Sequence, residues 1–464
     1  KSRFGGSAGH FAGQAMATGG ALSSKLSADL VSRASRAGGP WLAELAEQGL
    51  LCGELAPLRR LSWAYLFGLI SGDSQDEWAE ALETQRKRYA DLVDEYKRQT
   101  NVKTLDPNVC NPLARTPENP YNKMHESEEL LKEIWKDVER TFPEVELLNN
   151  AESRKMLQRI LFHWCRAANP AKAASDSYRQ GMNELAAVAL AACKSGEYAE
   201  ESWENSQSIG QRLCGRQHTE ADAFLLYNRL MELGLRSMFM PSFSPVARGP
   251  AQRSPVGELP RASRAAAPGE ASGPASAILA RCAFIFDTIV RAADGALHKQ
   301  LRSLDIEPQV FLLRWLRLLF SREYSLEETL HLWDGLFHDA FLPAVDAPFK
   351  YPTGGAEAVW LEAAGCAERL PLLDYMAAAF LRSMRGDLAG LDQTECLRRL
   401  LASRPAISTT ALLSAARKLR QCPRPEASDE SGDASSGRGS VTPATGASPA
   451  SVPPPRPAAA SPGG

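Results

Sequence analysis

What most restricts the fold of this chain is a succession of apolar stripes at helical spacing, with no convincing alternating strand pattern between them. Trp78, Leu82, Tyr89, Leu92, Val93 and Tyr96 recur on one face of a heavily charged segment. That is the pattern of a helix with one side buried and the other solvated. Leu130, Leu131, Ile134 and Val138 repeat it, and Pro143 is expected to close that helix, because Pro disfavours α geometry in the residue before it. Further stripes lie at Leu157, Ile160, Leu161 and Trp164, at Phe224, Tyr227, Leu230 and Met231, and at Leu330, Trp333 and Phe337. Others run through residues 311–320 and 372–384. Period-2 strands joined by hairpin turns are missing, and no fixed repeat suggests a solenoid. The reading is an all-α fold.

Composition removes several functional classes. With 464 residues, 44% of them hydrophobic, the chain can bury a large core. Its 53 Lys and Arg nearly balance 55 Asp and Glu, so nothing in bulk charge draws it to nucleic acid. Nine cysteines are scattered, the nearest pair being Cys193 and Cys214, with no CxxC and no HExxH among the histidines. Reduced thiols in a cytoplasmic protein and no metal site are therefore expected. His331 and His338, two turns apart, read as helix-surface residues rather than ligands. The apolar run at 185–193 is too short to span a bilayer, and 311–320 is broken by Arg314 and Arg317, so no integral membrane segment is expected. Residues 1–28 contain no continuous apolar core of the signal-peptide type.

Composition also divides the chain. Residues 1–40 are small and polar and read as a disordered N-terminal arm, and 423–464 as a disordered tail rich in Pro, Ser, Ala and Gly. Residues 244–276 share that character between helical segments and read as a long insertion, with a second at 339–369. A domain over 41–404 and a C-terminal helical segment over 405–422 remain.

Two local features could carry chemistry. In the run from Ile134 to Pro143, Arg140 is expected in the last turn of a helix, three residues after Asp137, where the carboxylate can steady the guanidinium. The plain alternative is an Arg that offsets the helix dipole. In Tyr178-Arg179-Gln180-Gly181-Met182-Asn183-Glu184, a Gln just before Gly at a loop-to-helix junction can present its amide outward. Such an amide donates to and accepts from a water; the plain alternative is a turn that needs the Gly and carries the Gln by accident. Gly5-Gly6-Ser7 lacks a Walker Lys, which argues against nucleotide binding by this chain.

Taken together, these residues resemble the TBC-domain family of Rab GTPase-activating proteins, whose signatures are IxxDxxR and, some forty residues on, YxQGM. Arg59-Arg60-Leu61-Ser62-Trp63 matches the family's RxxxW, and the resemblance continues through Leu313-Arg314-Trp315, Arg322-Glu323 and Trp333-Asp334 to the Tyr375 to Arg385 stretch. Asn111-Pro112-Leu113 and Arg140-Thr141-Phe142-Pro143-Glu144 are most similar to the member-five branch.

The resemblance implies a bilobal helical domain that accelerates GTP hydrolysis by a GTP-bound Rab, with no GTPase activity of its own. Arg140 would be the arginine finger and Asp137 its orienting partner. Gln180 would position the attacking water, with Tyr178 and Gly181 shaping its loop. Arg59 and Trp63 fall on one helical face and are assigned to scaffold and packing. The chain would need no cofactor of its own, because Mg-GTP is carried by the partner. Endosomal adaptors would be further partners, and the setting would be cytoplasmic with peripheral recruitment to endosomal or other vesicle membranes. The competing reading is a TBC-fold scaffold that binds a Rab or a trafficking adaptor without catalysis.

Overall fold

In the computed structural model, which describes residues 25–72, 74–100, 119–168, 177–199, 208–239, 277–341, 370–402 and 407–421, the apolar stripes become helices. The first eight are α1 (Ala28–Glu47), α2 (Arg59–Leu66), α3 (Gln75–Gln99), α4 (Pro120–Val138), α5 (Ala151–Ala168), α6 (Met182–Ser195), α7 (Ile209–Cys214) and α8 (Thr219–Leu230). There follow α9 (Arg236–Phe239), α10 (Ala277–Phe284), α11 (Arg291–Ala293), α12 (Gly295–Ser303), α13 (Gln309–Arg317) and α14 (Leu326–Phe341). Last come α15 (Pro371–Ser383), α16 (Arg385–Leu388), α17 (Gln393–Leu401) and α18 (Thr409–Gln421). Among the described residues the one strand-like pairing is an isolated bridge between Leu26 and Tyr198, so the fold is all-α.

Helix α6 is buried along its whole length, from Met182 to Ser195. Five alanines in its interior keep the helix thin, so that α5 and α8 pack against it with α2, α4 and α14 around them. Helix α3 lies over α5, α7 and α8 and turns its charged face to solvent; Trp78, Leu82 and Tyr89 of its stripe are buried, whereas Leu92 near the end is exposed. In the second half, α15 is the central element, packed against α13, α14, α18 and the segment 285–290. Helices α1, α2 and α14 contact one another between the two groups.

Three expectations need correction. Residues 28–40 are not part of a disordered arm: they form the first part of α1, where Leu30, Val31 and Ala34 are buried and Gly38 (φ 78) kinks the helix ahead of Pro40. The small residues that suggested disorder are what permit the close approach, since a Cβ at Gly39 would overlap the Tyr65 ring. Helix α14 extends to Phe341, so residues 339–341 are helical; the rest of that second insertion, the 244–276 insertion, residues 1–24 and the tail lie outside the described residues. His338 is buried rather than on a helix surface, 3.8 Å from Glu47, because α1 and α18 cover that side of α14. His331 is partly covered and bonds Thr409 Oγ1 at 2.9 Å through Nδ1. The six cysteines among the described residues are free thiols, five of them buried.

Three buried carboxylates lock distant segments together. Arg59 Nε donates to Asp334 Oδ1 at 3.0 Å and Arg59 Nη2 to Oδ2 at 3.0 Å, while Trp63 Nε1 donates to Oδ1 at 2.8 Å. The RxxxW spacing thus aims both side chains at one acceptor, and the indole also packs against Trp333 at 6.0 Å and Phe337 at 4.9 Å. Asp222 is gripped by Arg60 (2.6 Å) and Arg86 (2.6 Å), whose remaining N–H groups go to carbonyls including those of Cys214 and Leu213. Arg281 pairs with Asp374 at 2.6 Å, both almost fully buried.

Removing one partner of a buried ion pair leaves the other charge uncompensated. Asp334→Ala should therefore cost about 3–5 kcal/mol of stability, read from chemical denaturation, because it strands the Arg59 guanidinium and the Trp63 indole N–H.

Stability should also fall in mild acid. His163 is buried beside Tyr89, Tyr96 and Phe162, and burial pushes its pKa down to about 4. The unfolded chain takes up that proton near pH 6.5, so the contribution is full above about 6.5 and disappears as pH falls toward 4. The loss is on the order of 3 kcal/mol, and the drop in stability between pH 7 and 4.5 should shrink by about that amount in His163→Gln.

Candidate functional site

The site is built where α4 ends, where α6 begins, and where the chain turns between α13 and α14. Helix α4 stops at Val138, so Arg140 lies in the turn just beyond it rather than in the last helical turn. The helix thus ends several residues before Pro143. Backbone bonds from Arg140 N to Asp137 O and from Thr141 N to Val138 O tighten the turn, and Phe142 adopts a left-handed conformation (φ 43) that reverses the chain. As a result Asp137 is 9% exposed in its side chain and Arg140 62%.

Asp137 is the hub of this wall. One of its carboxylate oxygens pairs with Arg140 Nη2, and the other accepts the Tyr178 hydroxyl at 2.8 Å. Burial first, then the hydrogen bond to Asp137, push the Tyr178 phenol above its ordinary range. The phenol therefore stays a donor, and the carboxylate keeps its orientation toward Arg140.

The opposite wall starts at Gly181, the residue before α6, with φ 100. Only glycine suits this position: the backbone is left-handed, and a Cβ would come 2.8 Å from Leu318 Cδ2. The turn leaves Gln180 exposed while Tyr178 and Met182 on either side are buried. Asn183 ties the two walls together. Its Oδ1 accepts the Gly181 N–H at 2.9 Å, and its Nδ2 donates to Thr141 Oγ1 at 2.8 Å, which in turn donates to the Asp137 carbonyl at 2.6 Å.

The third wall is the turn after α13. Leu319 (φ 46) and Phe320 (φ 64) both have left-handed backbones although neither is glycine, a strain of about 1–3 kcal/mol each. Burial offsets it: both side chains are fully buried, Phe320 stacks on Trp315 at 6.0 Å, and Trp333 Nε1 donates to the Leu319 carbonyl at 3.0 Å. Beyond the turn, Arg322 pairs with Glu184 of α6, with Nε to Oε1 at 2.8 Å.

These walls enclose an open groove of about 330 Å³, with Arg140, Gln180 and Arg322 on its lining. It places a cationic guanidinium and a neutral amide on one accessible surface, a pairing suited to a phosphoryl anion beside a water. Of the residues singled out in the sequence, Asp137, Arg140, Tyr178, Gln180 and Gly181 come together here. Arg59 and Trp63 do not line the groove; they sit on Asp334. Sequence reasoning missed Asn183, Thr141, Glu184 and Arg322 as site residues. Three of them lie in or next to the motifs, but their partners lie 42 and 138 positions away, beyond any local signal.

An all-helical domain with these two loops on one groove is the architecture of a TBC domain. The Rab-GTPase-TBC domain model matches residues 57–249 and 273–345, and the chain belongs to that family. Human TBC1 domain family member 5 is 27% identical over 371 residues, covering 78% of this chain and 41% of that protein. The Dictyostelium discoideum TBC1 domain family member 5 homolog B is 24% identical over 468 residues, covering 81% of this chain and 41% of that protein. This chain therefore spans about two fifths of the length of these relatives. The crystal structure of the Ypt/Rab-GAP domain of Gyp1p superposes with a TM-score of 0.52 at 17% identity, covering 84% of this chain and 95% of that one, which shows the shared fold.

The bridging role of Asn183 is open to direct measurement. Asn183→Ala should speed hydrogen exchange at the Gly181 amide by roughly fivefold to tenfold, the equivalent of about 1 kcal/mol for one lost hydrogen bond. Asn183→Asp, which keeps the acceptor, should leave that amide protected.

Proposed function

We propose that this chain is a GTPase-activating protein for a Rab-family GTPase in its GTP-bound state, acting through Arg140 and Gln180. The observation that carries the reading is that both side chains are exposed on one groove while Asp137, Tyr178 and Asn183 behind them are buried and hydrogen-bonded. Hydrolysis of GTP spreads charge over the phosphoryl oxygens, and an arginine supplied in trans is worth about 10³–10⁵ in rate. Arg140 supplies that charge. Its pair with Asp137 is mostly solvent-exposed on the arginine side and so contributes less than about 1 kcal/mol. Exchanging the carboxylate for a phosphate oxygen therefore costs little. Asp137 stays in place because Tyr178 holds its second oxygen.

Gln180 takes the second role. Its amide oxygen can accept a hydrogen bond from the attacking water while its NH2 donates to a phosphate oxygen, and the Gly181 turn presents it outward toward a bound partner. The Mg²⁺ and nucleotide belong to the GTPase and enter with it as substrate. No described helix is long and apolar enough to cross a membrane, and in this reading endosomal or vesicle membranes are reached through the GTPase or through adaptors.

The test is single-turnover GTP hydrolysis by a panel of GTP-loaded Rabs. The wild-type chain should accelerate one or a few of them. Arg140→Ala should remove about 10³–10⁵ of that acceleration, and Gln180→Ala about 10²–10³, the loss typical of one preorganised polar group. Binding without acceleration of any Rab would instead assign the chain as a scaffold.

A further inference from the structure

Gln180 lies just before helix α6, and within α6 Asn183 already ties the Gly181 turn to Thr141 on the Arg140 wall. The turn after α13 braces the same start from the other side. The Leu318 side chain lies over Gly181, with Cδ2 2.8 Å from where a Cβ would stand. Two residues of strained backbone follow, Leu319 and Phe320, pinned by buried side chains and by the Trp333 indole. The strain delivers Ser321 and Arg322 to Glu184, which sits in the first turn of α6. Arg322 Nε reaches both oxygens of Glu184, at 2.8 and 3.1 Å, and Ser321 Oγ reaches Oε2 at 3.4 Å. The Glu184 side chain is 11% exposed, so it is held within the wall, whereas the Arg322 side chain is 44% exposed on the groove. Strained backbone persists where the surroundings over-determine it and is concentrated at functional positions.

We propose that Arg322 is a positioning residue for Gln180: through its ion pair with Glu184 it sets the place of the Gly181 turn, and so the distance between the Gln180 amide and the Arg140 guanidinium. The inference rests on the GTPase-activating reading above. It differs from that reading in its claim that a residue remote in sequence from both motifs governs one of the two groups and not the other. A positioning error of about 1 Å at a reacting centre costs on the order of 100-fold in rate.

The experiment measures kcat and KM for a GTPase that the wild-type chain activates, using Arg322→Ala, Arg322→Lys and Glu184→Gln, each also combined with Gln180→Ala and with Arg140→Ala. Arg322→Ala and Glu184→Gln should each lower kcat by roughly 10–100-fold with KM little changed. Arg322→Lys, which keeps the cation, should recover part of the loss. With Gln180→Ala already present, Arg322→Ala should cost almost nothing further, while with Arg140→Ala its full factor should remain. Proteolytic resistance and the unfolding midpoint of each variant report whether the fold is intact, and Glu184→Gln keeps the side-chain shape if Arg322→Ala does not.

Three results would sink the proposal while leaving the GTPase-activating reading intact. They are an unchanged kcat in Arg322→Ala, a loss confined to KM, which would make Arg322 a docking contact, and an equal loss in the presence and absence of Gln180. A wild-type chain that accelerates no GTPase overturns the reading and the proposal together.

Discussion

Asp334 has no exposed surface, and a carboxylate there is stable only because Arg59 and Trp63 both reach it from one turn of α2. That contact pins α2 to α14 across 275 positions of sequence. The neighbouring residue on α14, Trp333, donates its indole N–H to the Leu319 carbonyl, so the helix that Asp334 holds in place also supports the strained turn. From there the support passes through Arg322 to Glu184 and the start of α6. Helix α6 itself is enclosed by α2, α5, α8 and α14. The groove is therefore referenced to a buried frame, and its walls do not depend on loop stiffness.

The polar groups behind the groove are nearly all spoken for. Asp137 serves Arg140 and Tyr178 with its two oxygens, and Asn183 serves Gly181 and Thr141 with its amide. Such a layer fixes in advance the backbone and carboxylate from which the exposed groups project. The exposed layer is different in kind. Arg140 is held by one ion pair, and Gln180 projects from a left-handed glycine turn. The exposed Arg140 and Gln180 are thus lightly held, while the groups behind them are buried and bonded.

Much of the helix architecture was legible because helical periodicity is local: an apolar residue every three or four positions reports a buried face whatever it packs against. The arm misread at residues 28–40 shows where that signal weakens. Ala34 and Gly39 carry almost no apolar side chain, yet both are buried against larger neighbours. His338 shows a second weakness, since helical spacing says which face a residue is on but not whether α1 and α18 will cover it.

By itself the sequence determined the all-helical class, the order of the helices and the presence of Asp137, Arg140, Tyr178, Gln180 and Gly181 in two short motifs, since these depend on spacings of a turn or two. Only the tertiary structure decided that Arg140 and Gln180 share a groove, that Arg59 and Trp63 serve Asp334 instead of the site, and that Arg322 braces Glu184. The physical reason is range. A hydrogen bond or ion pair between groups 42, 138 or 275 positions apart leaves no periodic trace in the chain, and it forms only when the buried core has brought its partners within about 3 Å.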